Sequence, residues 1–336
     1  MKTVFVTGGT GFLGSHLLEK LIKGDEVKIK SLYRSQKSLS KLFKEVPTLA
    51  TTDKIEWVRG DLFSENINFN GVDVVYHLAG FVGYSEADHE KMKRVNIEGT
   101  EALLEKVVEA KTKPKFINLS SVVAVGAGFT EKDILNEGSK YNVSKYNLGY
   151  FETKRKAEEL VFKYAKDNSF FASSLNPSTI YGPRDMNKSS RKSQLSMAKG
   201  NLKVYPEGGV SIVHVDDVCD VLVKAPDLAE SGQRYILSGD NISIYELLSA
   251  IADVSNQEPP KYKIPKSLLL FMGYVGSFFS MFGLKSSLSL EKMRVVTMYH
   301  WFDSAKAKKH LDFKAQSYKK CIKDSIEWAF NEGLLK

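Results

Sequence analysis

Eight residues near the N-terminus, Thr7-Gly8-Gly9-Thr10-Gly11-Phe12-Leu13-Gly14, restrict the fold more than any other part of the chain. They follow a short run that reads as a strand, Lys2–Val6. They open a segment, 11–23, in which Leu13, Leu17, Leu18 and Leu21 share one helical face. Glycines there allow dihedrals closed to other residues and let backbone N–H groups approach a diphosphate, and the helix N-terminus adds a favourable dipole. A G-x-G-x-x-G spacing between strand and helix therefore predicts a dinucleotide held at Gly8, Thr10, Gly11, Phe12, Leu13 and Gly14.

The rest of the first half repeats that alternation. Strands are expected at 27–33, 55–58, 72–78, 116–121 and 170–175, with helices at 98–111 and 153–166. This is the pattern of an α/β fold: a doubly wound parallel sheet of the Rossmann kind with right-handed crossovers. The pattern breaks after Pro177. Residues 182–209 are polar and rich in Lys and Ser and predict a mobile loop over a site, 212–223 and 235–237 return to the sheet, and the remainder is mostly helical. The division is a dinucleotide-binding domain of 1–176 and 211–238 and a substrate lobe of 177–210 and 239–336.

Composition excludes several classes. With 336 residues, 43% of them hydrophobic, the chain has ample material for a core and is not a disordered protein. Two cysteines, Cys219 and Cys321, fit a reducing compartment, and the apolar N-terminal run is too short for a secretion signal, so the expected location is the cytoplasm. The N-x-S/T matches are then chance. A net charge of +8 is spread along the chain without a nucleic-acid motif, and no nucleic-acid partner is expected.

The segment after the second strand bears on which dinucleotide is bound. An acid there would accept from a ribose 2′-hydroxyl and repel a 2′-phosphate. The sequence is Ser31-Leu32-Tyr33-Arg34-Ser35-Gln36-Lys37, with no acid. Arg34 could pair with a 2′-phosphate, helped by Ser35 or Lys37, so NADP(H) is the expected preference, with NAD(H) the alternative.

Several further pieces occur in order: Gly60-Asp61-Leu62, His77-Leu78-Ala79-Gly80, Asn96-Ile97-Glu98-Gly99-Thr100, Leu119-Ser120-Ser121, Tyr150-x-x-x-Lys154, Pro177–Pro183 and Val213-His214-Val215-Asp216-Asp217. With them the chain resembles the extended short-chain dehydrogenase/reductase family (the NAD-dependent epimerase/dehydratase superfamily) over essentially its whole length. The resemblance implies that Asp61 contacts adenine and that the segment around Ala79 lines the cofactor. It also implies cofactor contacts from Leu62, Leu78, Gly80, Asn96, Tyr150, Lys154 and Pro177.

The expected chemistry rests on Tyr150, Lys154 and Ser121. Tyr150 and Lys154 are four apart and share a helix face, and a nearby ammonium favours the phenolate. By resemblance Lys154 also holds the nicotinamide ribose, and Ser121 hydrogen-bonds the substrate oxygen while Tyr150 exchanges a proton; Ser120 is the alternative to Ser121. Tyr141 and Lys145 have the same spacing, but Asn147-Leu148-Gly149 interrupts the helical pattern behind them. His214 reads as structural, His77 as a strand end beside the cofactor, and Asp216-Asp217 as a helix cap; no metal site is expected.

Nucleotide-sugar enzymes of this family carry an Arg shortly before the V-D-D segment. Here Gly208–Val215 contains none, though Arg184 or Arg191 could substitute. The pattern looks more like the dihydroflavonol-reductase-like and 3β-hydroxysteroid-dehydrogenase-like branches, which implies a ketone or secondary alcohol of a relatively apolar molecule. Residues 268–284 are uncharged and marginal for a membrane span, and read as a pocket-lining helix or a peripheral membrane contact. Helices 98–111 and 153–166 could build a homodimer interface. The competing readings are a nucleotide-sugar epimerase or dehydratase with tightly held NAD, and a non-catalytic NAD(P)-binding sensor or scaffold.

Overall fold

The computed structural model describes residues 2–24, 26–185, 189–281 and 288–335, with the backbone alone for 189–191, 280 and 281. In chain order the strands are β1 (Lys2–Thr7), β2 (Val27–Tyr33), β3 (Ile55–Arg59), β4 (Val74–His77), β5 (Lys115–Leu119), β6 (Ala172–Pro177), β7 (Thr179–Tyr181), β8 (Val204–Pro206), β9 (Gly209–His214), β10 (Arg234–Leu237), β11 (Asp240–Ser243), β12 (Tyr262–Ile264) and β13 (Tyr299–His300).

Seven of them form one sheet in the order β10-β6-β5-β4-β1-β2-β3, and every adjacent pair is parallel. Such a sheet is buried on both faces, which explains the continuous apolar runs. Alternation along β1 serves two cores. Val4 and Val6 pack with helices Phe12–Leu21 and Val215–Leu228, whereas Phe5 packs with helices Gly99–Glu109 and Gly149–Asp167 on the other side. The strand order reverses between β1 and β4, and ligands of such sheets bind in the crevice outside the carboxyl ends at that point.

Beyond β6 the chain is divided. Helix Val215–Leu228 and β10 pack with the large sheet, while β9 lies in a second sheet, antiparallel to β11 and parallel to β7 and β13. A pair of parallel strands, β8 and β12, stands apart. The expectation of a loop over 182–209 is corrected in the described part. Helix Ser189–Ala198 buries Met197 and Ala198 with the apolar side chains of helix Ile244–Val254, while its buried Gln194 donates to Ser325 at 3.1 Å, a buried face that the Lys/Ser content hides. Cys219 and Cys321 are free and buried.

Candidate active site

Thr7, at the end of β1, bonds its hydroxyl to His77 Nδ1 at 2.8 Å and accepts from the Ala79 N–H at 3.2 Å. The turn that follows is packed so closely that side chains are excluded. Gly8 has φ +73°, and a Cβ there would lie 2.8 Å from the Ala79 nitrogen; at Gly14 it would lie 2.1 Å from the Gly8 carbonyl oxygen. Helix Phe12–Leu21 begins at Gly11 with no side-chain cap and no acid in its first turn, a donor set suited to an anion. The turn and this uncapped helix end fit the diphosphate of a dinucleotide.

On the other side of the switch point, Asn96 lies in a π-helical turn, Lys93–Glu98, an irregularity frequent at functional sites. Its amide donates to the Phe81 carbonyl at 2.9 Å and accepts from the Phe81 N–H at 2.7 Å, fixing the segment after β4. A Cβ on Gly80 would lie 3.4 Å from both Asn96 Oδ1 and Lys154 Nζ, so this segment runs over the helix that bears Lys154. Leu78 and Ala79 flank Gly8, Leu62 is buried against Gly99, and Pro177 is buried at the end of β6. Asp61 is exposed and accepts from the Phe63 N–H at 3.0 Å. Arg34 is exposed at the end of β2 with no ion pair among the described residues, and Ser35 caps helix Gln36–Glu45.

The structure brings Ser121, Tyr150 and Lys154 together. Ser121 follows β5 and caps a short 3₁₀ turn, Val122–Ala124. Tyr150 sits in the first turn of helix Gly149–Asp167, close enough to the Ser121 side chain for the hydroxyl to influence its titration. Lys154, one turn further on, donates to the Leu119 carbonyl at 2.8 Å. Burial pushes the Lys154 ammonium down to about 8, against the pull of Glu158. Burial also pushes the Tyr150 phenol up to about 12, and the nearby Ser121 hydroxyl only partly offsets this. That reverses the expected direction, because burial outweighs any help from Lys154, whose ammonium is directed at a backbone carbonyl. Tyr141 and Lys145 share no helix: Tyr141 donates to Glu152 at 2.8 Å, and Asn147 turns the chain at φ 47°.

Sequence reasoning missed the groups that hold this centre. Glu158 is fully buried, pairs with Arg234 at 2.6 Å and accepts from Asn176 at 2.7 Å. The same Asn176 amide donates to the Ser121 carbonyl at 3.0 Å, and Ser120, the alternative to Ser121, is buried with no hydrogen bond from its hydroxyl. The signal was the spacing 150, 154, 158, which extends the Tyr150–Lys154 face by one turn. Tyr84 stands edge-on to Tyr150 with ring centroids 6.2 Å apart, and Glu291 accepts from the Gly149 N–H at 2.8 Å. Neither has a local sequence signal.

The remaining candidates are structural. Both ring nitrogens of His77 are engaged, by Thr7 and by Thr100 at 2.9 Å, and burial with the nearby Lys154 holds the imidazole neutral, its pKa driven down to about 3. The cap of helix Val215–Leu228 is His214, whose side chain accepts from Asp216 N–H; this corrects the assignment to Asp216-Asp217, which lie inside the first turn. Asp217 instead accepts from the Gln316 backbone and side chain, both at 2.8 Å. Arg184 is ion-paired to Glu19 and bonded to His16, and the Arg191 side chain lies outside the described residues. Among the described residues no cluster of potential metal ligands occurs.

The chain is similar to several known proteins. The model of the NAD dependent epimerase/dehydratase family matches residues 4–238. A putative dihydroflavonol 4-reductase of Synechocystis sp. is 26% identical, covering 99% of this chain and 96% of its own. A sterol-4-alpha-carboxylate 3-dehydrogenase (decarboxylating) of Candida albicans is 28% identical over 99% of both chains. The crystal structure of gox2253 superposes with a TM-score of 0.84 at 28% identity, over 100% of each chain.

Proposed function

This chain belongs to the NAD-dependent epimerase/dehydratase family and is an NAD(P)-dependent oxidoreductase, and from that premise we propose a more specific activity. It interconverts a ketone and a secondary alcohol on a relatively apolar molecule, with NADP(H) preferred and Tyr150 as the proton donor and acceptor. A bound nicotinamide dinucleotide supplies the hydride chemistry. Gly8–Gly14 would hold its diphosphate, Asp61 its adenine, Arg34 a 2′-phosphate and Lys154 the nicotinamide ribose.

The convergence of Ser121, at the end of β5, and Tyr150, one helical turn before the buried Lys154, carries the reading. In the reducing direction Ser121 would hold the substrate oxygen while Tyr150 donates its proton to it. A phenol held up at about 12 by burial carries its proton at neutral pH, the protonation state that the reducing direction requires. Lys154 and the neutral His77 orient the floor of the site without competing for the proton. The substrate class is supported by relatives whose names refer to a sterol and a dihydroflavonol, both built on fused carbon-rich rings. The engagement of Arg184 by Glu19 weighs against a nucleotide-sugar diphosphate there.

The test is a fluorescence titration of cofactor-stripped protein with NADPH and NADH, after any copurifying cofactor is identified. Freely exchanging NADPH, bound well above NADH, is the expected result. NAD that copurifies and resists removal would favour an epimerase or dehydratase instead.

A further inference from the structure

Helix Lys266–Met281 carries its bulk on the outside. Leu268, Phe271, Tyr274, Val275, Phe278 and Phe279 are exposed, Phe271 by 63%. At the α-helical period they fall on one face about 140° wide. The opposite face is small: a Cβ on Gly273 would lie 2.9 Å from Leu290 Cα, so the helix lies flush against helix Leu290–Val296. An apolar face of this kind on a folded chain marks an interaction surface.

Charge identifies what covers it. Residues 259–290 contain no Asp or Glu and four lysines, Lys261, Lys263, Lys266 and Lys285. Lys261 and Lys263 pair with Glu258 and Glu207, while Lys266, at the start of the helix, is exposed and makes no ion pair among the described residues. Tyr262, 67% exposed, adds an aromatic ring with a polar tip just before the helix. Sixteen residues span about 24 Å, less than a bilayer core. No helix among the described residues is long and apolar enough to cross a membrane.

We propose that helix Lys266–Met281 is an in-plane docking element for an anionic bilayer surface, with its aromatic face at the acyl boundary and Lys266 at the headgroups. Through its opposite face the helix is tied to the candidate catalytic centre. Ser277 Oγ accepts from the Leu290 N–H at 2.9 Å, Ser289 donates to the Tyr84 carbonyl, and Glu291 accepts from the Gly149 N–H. Docking therefore sets the site beside the lipid from which an apolar substrate is drawn; this last step alone rests on the proposed reaction.

The experiment is flotation of the full chain with phosphatidylcholine vesicles, with and without 30% phosphatidylglycerol, and sedimentation velocity without lipid. Flotation with the anionic vesicles is expected. It should fall at least tenfold for Phe271→Asp/Phe278→Asp and several-fold for Lys266→Glu, with NADPH affinity unchanged in both variants. No flotation, equal flotation on the two vesicle types, or no effect of the aromatic substitutions overturns the proposal. A wild-type dimer dissociated by those substitutions, without flotation, assigns the face to a second copy of the chain and equally overturns it. Vesicle binding is read without turnover, so failure of the proposed reaction leaves this result standing.

Discussion

The Glu291 carboxylate accepts a hydrogen bond of 2.8 Å from the backbone N–H of Gly149, so a residue near the C-terminal end of the chain closes the N-terminus of the helix that bears Tyr150 and Lys154. Its second oxygen meets His89 Nε2 at 3.1 Å. Burial raises the Glu291 pKa, and His89 with the Gly149 N–H opposes that rise. An acid at a helix N-terminus also complements the helix dipole.

Glu291→Ala leaves a buried N–H unpaired at the first turn of the catalytic helix. A loss of about 1–3 kcal/mol in urea unfolding is expected, together with reduced turnover at nearly unchanged NADPH affinity. Glu291→Gln retains an acceptor and should recover most of the stability. Equal stability of the alanine variant and wild type would show that the contact does not support the helix.

Tyr150→Phe removes the proton donor and leaves the ring against Tyr84. Turnover should fall by ~10²–10⁴-fold, with cofactor affinity within a few-fold of wild type. Tyr141→Phe, whose hydroxyl serves Glu152, should retain most activity. Steady-state kinetics of the two variants decide between the pairs, and the opposite ranking would move the proton-transfer role to Tyr141.

Arg34 is exposed at the end of β2, free of any ion pair among the described residues. Arg34→Glu should weaken NADPH about 10–100-fold, the range of a lost charge-assisted hydrogen bond, and leave NADH little changed. An unaltered preference in the same titration would mean that Arg34 does not read the 2′-phosphate.

Lys154 gives a signed pH dependence. Its folded pKa is depressed to about 8 by burial, below the unfolded value. Between those values the unfolded chain binds more protons, so this residue costs stability below about pH 8 and the cost lifts as pH rises. From pH 7.5 to 9.5 wild type should gain about 1–2 kcal/mol relative to Lys154→Met, read from urea midpoints. A parallel pH course for the two proteins would show that the ammonium is not destabilised by folding.

Much of this architecture was legible locally. The Thr7–Gly14 turn, the apolar strands and the Tyr150–Lys154 spacing are short-range patterns, and each is set by backbone geometry or by the helical period. The start of helix Gly149–Asp167, four residues earlier than its pattern suggests, was not, because Gly149 is made helical by a carboxylate 142 residues away. Tyr84 and Glu291 escape for the same reason. The helix at Ser189–Ala198 escapes because its buried seam of Gln194, Met197 and Ala198 is diluted by serines and lysines. The upward shift of Tyr150 reflects burial, which no residue spacing reports.

The central claim is net hydride transfer to a substrate carbon with Tyr150 handling the proton. The most direct measurement is incubation of the full chain with NADPH deuterated at C4 and a 3-keto sterol or a dihydroflavonol, followed by mass spectrometry of the product. Deuterium at the new carbinol carbon, one NADPH consumed per alcohol formed, and loss of both in Tyr150→Phe is the predicted result. Conversion of a nucleotide sugar on retained NAD, with no net consumption of cofactor and no turnover of either ketone, would contradict it.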